Sequence, residues 1–432
     1  MSLTHPQFRV FSSPMDDFSV EEMNYVEVLP DSEQIGTSQT RWELTHKAID
    51  SFINLHRSYL MVQVKVVRGD AGQVGNALPN TAEVSISNGV SLFDRITLLC
   101  NGSVISEVNN YQIAQQVLAL AEMSKDYRDN TASVYNHHTD TNLMTNADGG
   151  NTGKEKREAN AIAGLQTFYI PICSMFGFTR YMDKVFRGLR FQIQLHKADK
   201  QVSLNTVAGA NGVDLQPEIY FNKVRLLMCN VVPSPAIEAS INSRLNQGAV
   251  QQLRWDEVSC YKSSSITDAN PRFRIASQIQ SAKHLFVTIQ STATANGAYT
   301  SNTGKFEPSA TTEMSVIVNN KKYPLLPYTT DFATGNGDAV RAFMALQEYK
   351  SPFKNLNDSN LLNYDDYKTT PIWYFSLSAI EPTAFSVEGQ ADIEIQLKFT
   401  PDGNGSTIWA TVLHERNAVV SGSSTQLTLQ QL

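Results

Sequence analysis

Apolar residues along this chain fall mostly at every second position. Residues 59–67 are the clearest case: Leu60, Val62, Val64 and Val66 alternate with Met61, Gln63, Lys65 and Val67. A period of two places one set on the buried face of a strand. Similar runs predict strands at 39–44, 84–87, 96–100, 103–108, 167–173, 189–197 and 219–232. Others follow at 258–264, 284–290, 315–318, 323–326, 373–379, 393–400 and 407–414. Between 96–100 and 103–108 stands Asn101-Gly102, a pair that tolerates the positive φ angles of a type I′ hairpin turn. Two segments switch to helical spacing. In 111–123, Ile113, Val117, Leu118 and Ala121 form one stripe, and 338–349 forms the other predicted helix. Polar stretches at 69–80, 124–163 and 291–312 read as loops. Residues 1–38 lack periodicity, carry Pro6, Pro14 and Pro30, and read as an extended arm with one short helix near 20–25.

The pattern occurs twice. The segment 190–199 (Arg-Phe-Gln-Ile-Gln-Leu-His-Lys-Ala-Asp) and the segment 391–402 (Ala-Asp-Ile-Glu-Ile-Gln-Leu-Lys-Phe-Thr-Pro-Asp) share an Ile-Gln-Leu core. The hairpin and helix at 96–123 return at 314–349, 167–173 returns at 372–380, and 219–230 returns at 407–417. Separations of about 190–220 residues make the unit a whole domain, far longer than a solenoid repeat. The expected division is an N-terminal arm at 1–38, a first domain at 39–235, a linker at 236–250 and a second domain at 251–432. A helical turn is expected at 237–245. Each domain then has seven or eight strands, long loops and one short flanking helix. This suits an all-β chain of two tandem eight-stranded antiparallel jelly rolls. An immunoglobulin-like sandwich fits less well, because its loops are shorter and it lacks the helix.

Composition narrows the function. The 432 residues are 41% apolar, enough for substantial cores, and only 18% charged, against about 25% in ordinary soluble domains. The net charge is −7 and no Lys/Arg run exceeds two residues, which argues against direct, sequence-specific DNA binding. Cys100, Cys173, Cys229 and Cys260 form no C-x-x-C pair. They read as buried, reduced thiols suited to a reducing compartment. The N-terminus has no apolar h-region, and no run approaches a membrane span of about 18 apolar residues.

Candidate chemistry is sparse. His137-His138, near Asp140, are adjacent in a polar loop and point opposite ways if extended. His196, His284 and His414 stand singly, and the His-x-His of a cupin is absent. Asp365-Asp366 and Glu21-Glu22 are pairs in sequence only. Neither a G-x-S-x-G elbow nor a G-x-x-x-x-G-K-[ST] loop occurs. Gly335-Asn-Gly337 reads as a turn before a helix, with Asp338 as its N-cap. Trp373-Tyr374-Phe375 and Phe168-Tyr169 match across the repeat and read as packing between or within domains, with carbohydrate stacking as the other use. No catalytic, cofactor-binding or metal-ligating residue is predicted, and no enzymatic activity.

Several segments, taken in order, resemble a known family. They are 24–30 leading into 39–44, and Leu92-Phe-Asp-Arg-Ile-Thr-Leu-Leu-Cys-Asn-Gly-Ser-Val-Ile-Ser106 with Asn109-Asn-Tyr-Gln-Ile-Ala114 after it. Gly153-Lys-Glu-Lys-Arg157 is similar to that family's short basic loop segment. Phe176-Gly-Phe-Thr-Arg180, Phe186 and Gly188-Leu-Arg-Phe-Gln-Ile-Gln-Leu195 complete the series. Together they resemble the double jelly-roll major capsid proteins of the tailless-phage, adenovirus and polinton–adintovirus lineage, which also takes in giant-virus relatives. Met182-Asp-Lys-Val185 departs from that family's more usual apolar-Asn-Gly stretch. The resemblance covers most of 24–235 and rests on the internal repeat beyond 250. It implies a homotrimer of pseudo-hexagonal outline that tiles an icosahedral shell, with neighbouring capsomers, penton and minor capsid proteins as partners. The genome would be enclosed without sequence-specific contact, and the protein would reside in the virion. From a different class, a two-domain β-sandwich lectin or carbohydrate-binding module remains the alternative.

Overall fold

The computed structural model describes residues 20–431 apart from 33–34, 48–50, 125–126, 128–129, 136–151, 249, 276–278, 298–299, 301–302, 309, 331–338, 351–361, 381–389, 401–404 and 424–425. The first half holds β1 (Val20–Val28), β2 (Arg41–Thr45), β3 (Ile53–Val67), β4 (Phe93–Cys100), β5 (Ser103–Val108), β6 (Gln166–Pro171), β7 (Phe191–Lys197) and β8 (Glu218–Pro233). The second half holds β9 (Val250–Lys262), β10 (Arg272–Arg274), β11 (Ala282–Ser291), β12 (Thr311–Val318), β13 (Lys321–Thr329), β14 (Trp373–Ser376), β15 (Ile393–Phe399) and β16 (Ser406–Ser423).

The sheets of the first half run β1-β8-β3-β6 and β2-β7-β4-β5, and those of the second run β9-β16-β11-β14 and β10-β15-β12-β13. Adding eight to each label of the first half gives the second. All of these pairs are antiparallel, and every described strand pair lies within one half. Each half is therefore a two-sheeted antiparallel jelly roll, and the duplication predicted from the sequence holds strand by strand. Short pairs at Val84–Ile86 with Leu204–Thr206 and at Ile279–Gln280 with Gln390–Ala391 lie outside this scheme, as does Gln426–Gln431, which folds back on β16.

The alternation in β3 does what its period demands. Leu60, Val62 and Val64 are fully buried and Val66 nearly so, while Met61, Gln63 and Lys65 are half-buried. At the β4–β5 turn, Asn101 and Gly102 take φ of 50° and 85°, and Cys100 pairs with Ser103. An added Cβ at Gly102 meets nothing within 4 Å, so only backbone strain opposes a side chain there. Gly102→Val is expected to cost about 1–2 kcal/mol, read as a lower unfolding midpoint; an unchanged midpoint would refute the turn's requirement. The second hairpin turns on Asn319 and Asn320, at φ 48° and 67°.

Helices depart most from expectation. Helix α1 (Tyr111–Glu122) is where its stripe placed it, with Ile113, Val117, Leu118 and Ala121 buried. The helix expected near 20–25 is instead β1. Its valines and Tyr25 favour a strand, and its backbone pairs with β8 from Val28↔Leu226 to Val20↔Pro233. The loop expected at 124–163 contains α2 (Thr152–Ile162), so Gly153–Arg157 is helical. Gly153, Arg157 and Ala161 form its buried stripe, which is small and charged rather than apolar. The linker turn is a full helix, α3 (Pro235–Asn246), opened by a proline at the position that needs no N–H. Ile241 of α3 packs on Phe52, Cys229 and Val231, and Arg187 donates to Glu238 and Asn242 at 3.3 and 2.8 Å. Helix α4 (Ala339–Lys350) matches the predicted second helix. Gly335, Gly337 and Asp338 lie outside the described residues, so the N-cap reading does too.

Candidate assembly interface

A set of specific contacts lies where the two halves meet. The first half brings β5, α1 and the helical turn Gly177–Tyr181, and the second brings β9, the end of β16 and Tyr349 of α4. Gly177 sits flat on β9: a Cβ there would lie 2.0 Å from the Asp256 carbonyl. Next to it, Phe178 and Trp255 pack edge to face with centroids 5.1 Å apart, both essentially buried. Trp255 donates from Nε1 to Glu257 Oε2 at 3.2 Å, and the Val258 amide donates to Glu257 Oε1 at 3.1 Å. Glu257 is fully buried, and burial pushes its carboxyl above the ordinary range while Arg416 opposes the shift. Arg416 donates to the Ile105 carbonyl at 3.0 Å, and Asn110 donates to the Cys260 carbonyl at 3.2 Å.

A second cluster adjoins the first, and in it a bond between Tyr349 and Glu122 crosses between the halves. Glu122 of α1 accepts from Arg180 at 2.9 Å and from the Tyr349 hydroxyl at 2.5 Å. Tyr349 stacks edge-on against His284, which hydrogen-bonds Tyr374 at 2.9 Å. Lys283 bridges Asp256 at 2.6 Å and Glu415 at 2.8 Å. One buried apolar cluster runs through both halves. The arrangement is that of an interface: aromatic anchors, desolvated charges with partners, and a glycine where backbones touch.

The residues weighed for chemistry fall elsewhere or serve packing. His196 lies beside Arg95 Nη2 at 2.9 Å, and His284 belongs to the seam. His414 is buried against Ser259 Oγ at 3.0 Å, and burial pushes its imidazole down to about 4. Asp365 and Asp366 occupy the first turn of the helix Tyr364–Thr369, where Asn363 caps the Asp366 amide and Lys368 pairs with Asp365. Glu21 and Glu22 are exposed on β1. His137, His138 and Asp140 lie outside the described residues. Trp373, Tyr374, Phe375 and Phe168 are buried as expected, whereas Tyr169 is 42% exposed because it faces outward on β6. Cys100, Cys229 and Cys260 are buried and Cys173 is half-buried, all four as free thiols. Burial pushes Cys100 and Cys260 to about 12. Among the described residues no three His, Cys, Asp or Glu side chains are placed to hold a metal. Periodicity missed Gly177, Trp255, Glu257 and Arg416; the available signal was Glu257, a carboxylate at a strand position of buried parity.

No family model and no curated protein matches the sequence. Solved structures do match. A chain of the Sputnik virophage is similar over 100% of this chain and 93% of its own, with a TM-score of 0.63 and 11% identity. A chain of the PBCV-1 virus capsid is similar over 97% and 98%, at TM-score 0.55 and 9% identity. The Faustovirus major capsid protein is similar over 96% and 92%, at TM-score 0.51 and 10% identity. With sixteen of its described strands in two order-preserving sets joined across a packed seam, the chain has the double jelly-roll fold of these viral capsid proteins.

Proposed function

We propose that this chain is a viral major capsid protein: a non-enzymatic wall unit that forms trimers and tiles an icosahedral shell around a genome it does not read. The observation that carries the reading is the seam, in which two jelly rolls are packed side by side through a buried interface with its own aromatic anchors and hydrogen bonds across it. Covalent fusion raises the effective concentration of the second roll to roughly millimolar. The remaining contacts come from other copies, in interfaces of about 2,000–5,000 Å² for obligate assemblies. Four free thiols support assembly in a reducing compartment. We place the domain division at α3 and begin the first roll at β1. Neighbouring capsomers, penton and minor capsid proteins are the partners such a wall requires.

Purified protein is expected to sediment as a trimer that resists dilution to low micromolar concentration, and to show six-lobed particles or closed shells in negative stain. A compact monomer that binds glycan and never assembles would overturn the reading in favour of a tandem lectin.

A further inference from the structure

The seam is used once within the chain, yet each half carries both of its faces. One face is β5 with α1, beside the turn Gly177–Tyr181. The counterpart of β5 and α1 in the second half, by strand order, is β13 with α4. The other face is β9, and its counterpart in the first half is β1.

The counterparts are uncovered. On β9, Leu253 and Trp255 are 3% and 2% exposed, whereas on β1 Met23, Tyr25 and Val26 are 45%, 55% and 46% exposed. The bulges repeat the contrast. In β5 the register passes from Leu99↔Val104 to Leu98↔Ser106, which leaves Ile105 as a one-residue bulge. Ile105 is fully buried, and its carbonyl is the one that receives Arg416. In β13 the register passes from Val316↔Tyr323 to Met314↔Tyr328, so Pro324-Leu-Leu-Pro327 stands opposite Ser315 alone. Leu325 and Leu326 are 85% and 72% exposed. Prolines at both ends have no N–H to give the ladder, so the bulge is built into the sequence. Arg341 of α4 holds it in place, donating to the Leu326 carbonyl at 3.0 Å while its guanidinium covers the Tyr328 ring at 5.1 Å. Charge agrees as well: β13 begins with exposed Lys321 and Lys322, and β1 begins with exposed Glu21 and Glu22.

We propose that the Leu325–Leu326 bulge and α4 of one copy pack against β1 of a second copy, repeating between chains the contact that β5 and α1 make with β9 within one. This rests on the capsid reading and deepens it by assigning the surfaces and their polarity. The contact is head to tail, so it either closes into a ring or propagates. In the trimer proposed above, such contacts would close a ring of six rolls.

The test uses the full chain. Leu325→Glu/Leu326→Glu is expected to sediment as a monomer with the circular dichroism of the parent, and Tyr25→Glu/Val26→Glu is expected to do the same from the other face. Val26→Cys/Leu325→Cys is expected to give covalent trimers on a non-reducing gel after mild oxidation, and each single cysteine variant only monomers. The cysteine pair keeps the proposal falsifiable should a glutamate variant misfold. A trimeric parent whose glutamate variants stay trimeric, or whose cysteine pair fails to link, would overturn this interface and leave the capsid reading intact. A monomeric parent would overturn both.

Discussion

Alanine in place of Trp255 is expected to lower the unfolding free energy by about 3–5 kcal/mol, the usual range for truncating a buried aromatic. Trp255 is 2% exposed and fills the space against Phe178 of the other half. Its indole also donates to Glu257, so truncation removes one of the bonds to a buried carboxylate as well as creating a cavity. Because one apolar cluster spans both halves, the parent is expected to unfold in a single transition. The variant, with the seam loosened, is expected to resolve into two. Chemical denaturation followed by circular dichroism reads both. A loss within the roughly 0.5 kcal/mol typical of surface substitutions would mean that the seam is not held by this packing.

Acid is expected to weaken the chain through His414. Its imidazole is buried and held neutral, with Ser259 on Nε2, Arg416 repelling a second charge and Asp256 partly offsetting that repulsion. Its proton affinity falls from 6.5 to about 4 on folding, so the unfolded chain binds the proton first. The associated stability is fully present above pH 6.5 and is lost as pH falls through 6.5 towards 4, by about 3 kcal/mol at about 1.4 kcal/mol per pH unit. Glu257 acts with the opposite sign. Burial raises its pKa above the ordinary 4.5, so its contribution is present below 4.5 and is lost as pH rises through the folded value. Unfolding free energies measured between pH 7 and 4.5 are expected to fall with pH in the parent and not to fall in His414→Gln. An equal fall in both proteins would remove His414 as the cause.

Much of the architecture was legible because its elements bury one face each. β3 and the Asn101-Gly102 hairpin follow from period and turn chemistry alone, and the repeated Ile-Gln-Leu core marks β7 and β15, which occupy the same place in the two rolls. β1 was not legible: it is an edge strand exposed on both faces, its alternation is blurred by Glu21, Glu22 and Glu27, and its form depends on pairing with β8, distant in sequence. α2 was hidden because its buried stripe is Gly153, Arg157 and Ala161, which no hydrophobic period detects. The seam was the least readable part. Gly177 needs the Asp256 carbonyl, and Ile105 needs Arg416, and such pairings exist only once both halves are built.

Helix α3 has a mechanical consequence. Twelve residues of helix make a strut of about 18 Å, and Arg187, with Phe52, Cys229 and Val231, pins it to the first roll. The chain therefore enters β9 from a point anchored on the first roll, which shortens the loop that must close before the second roll finds its seam.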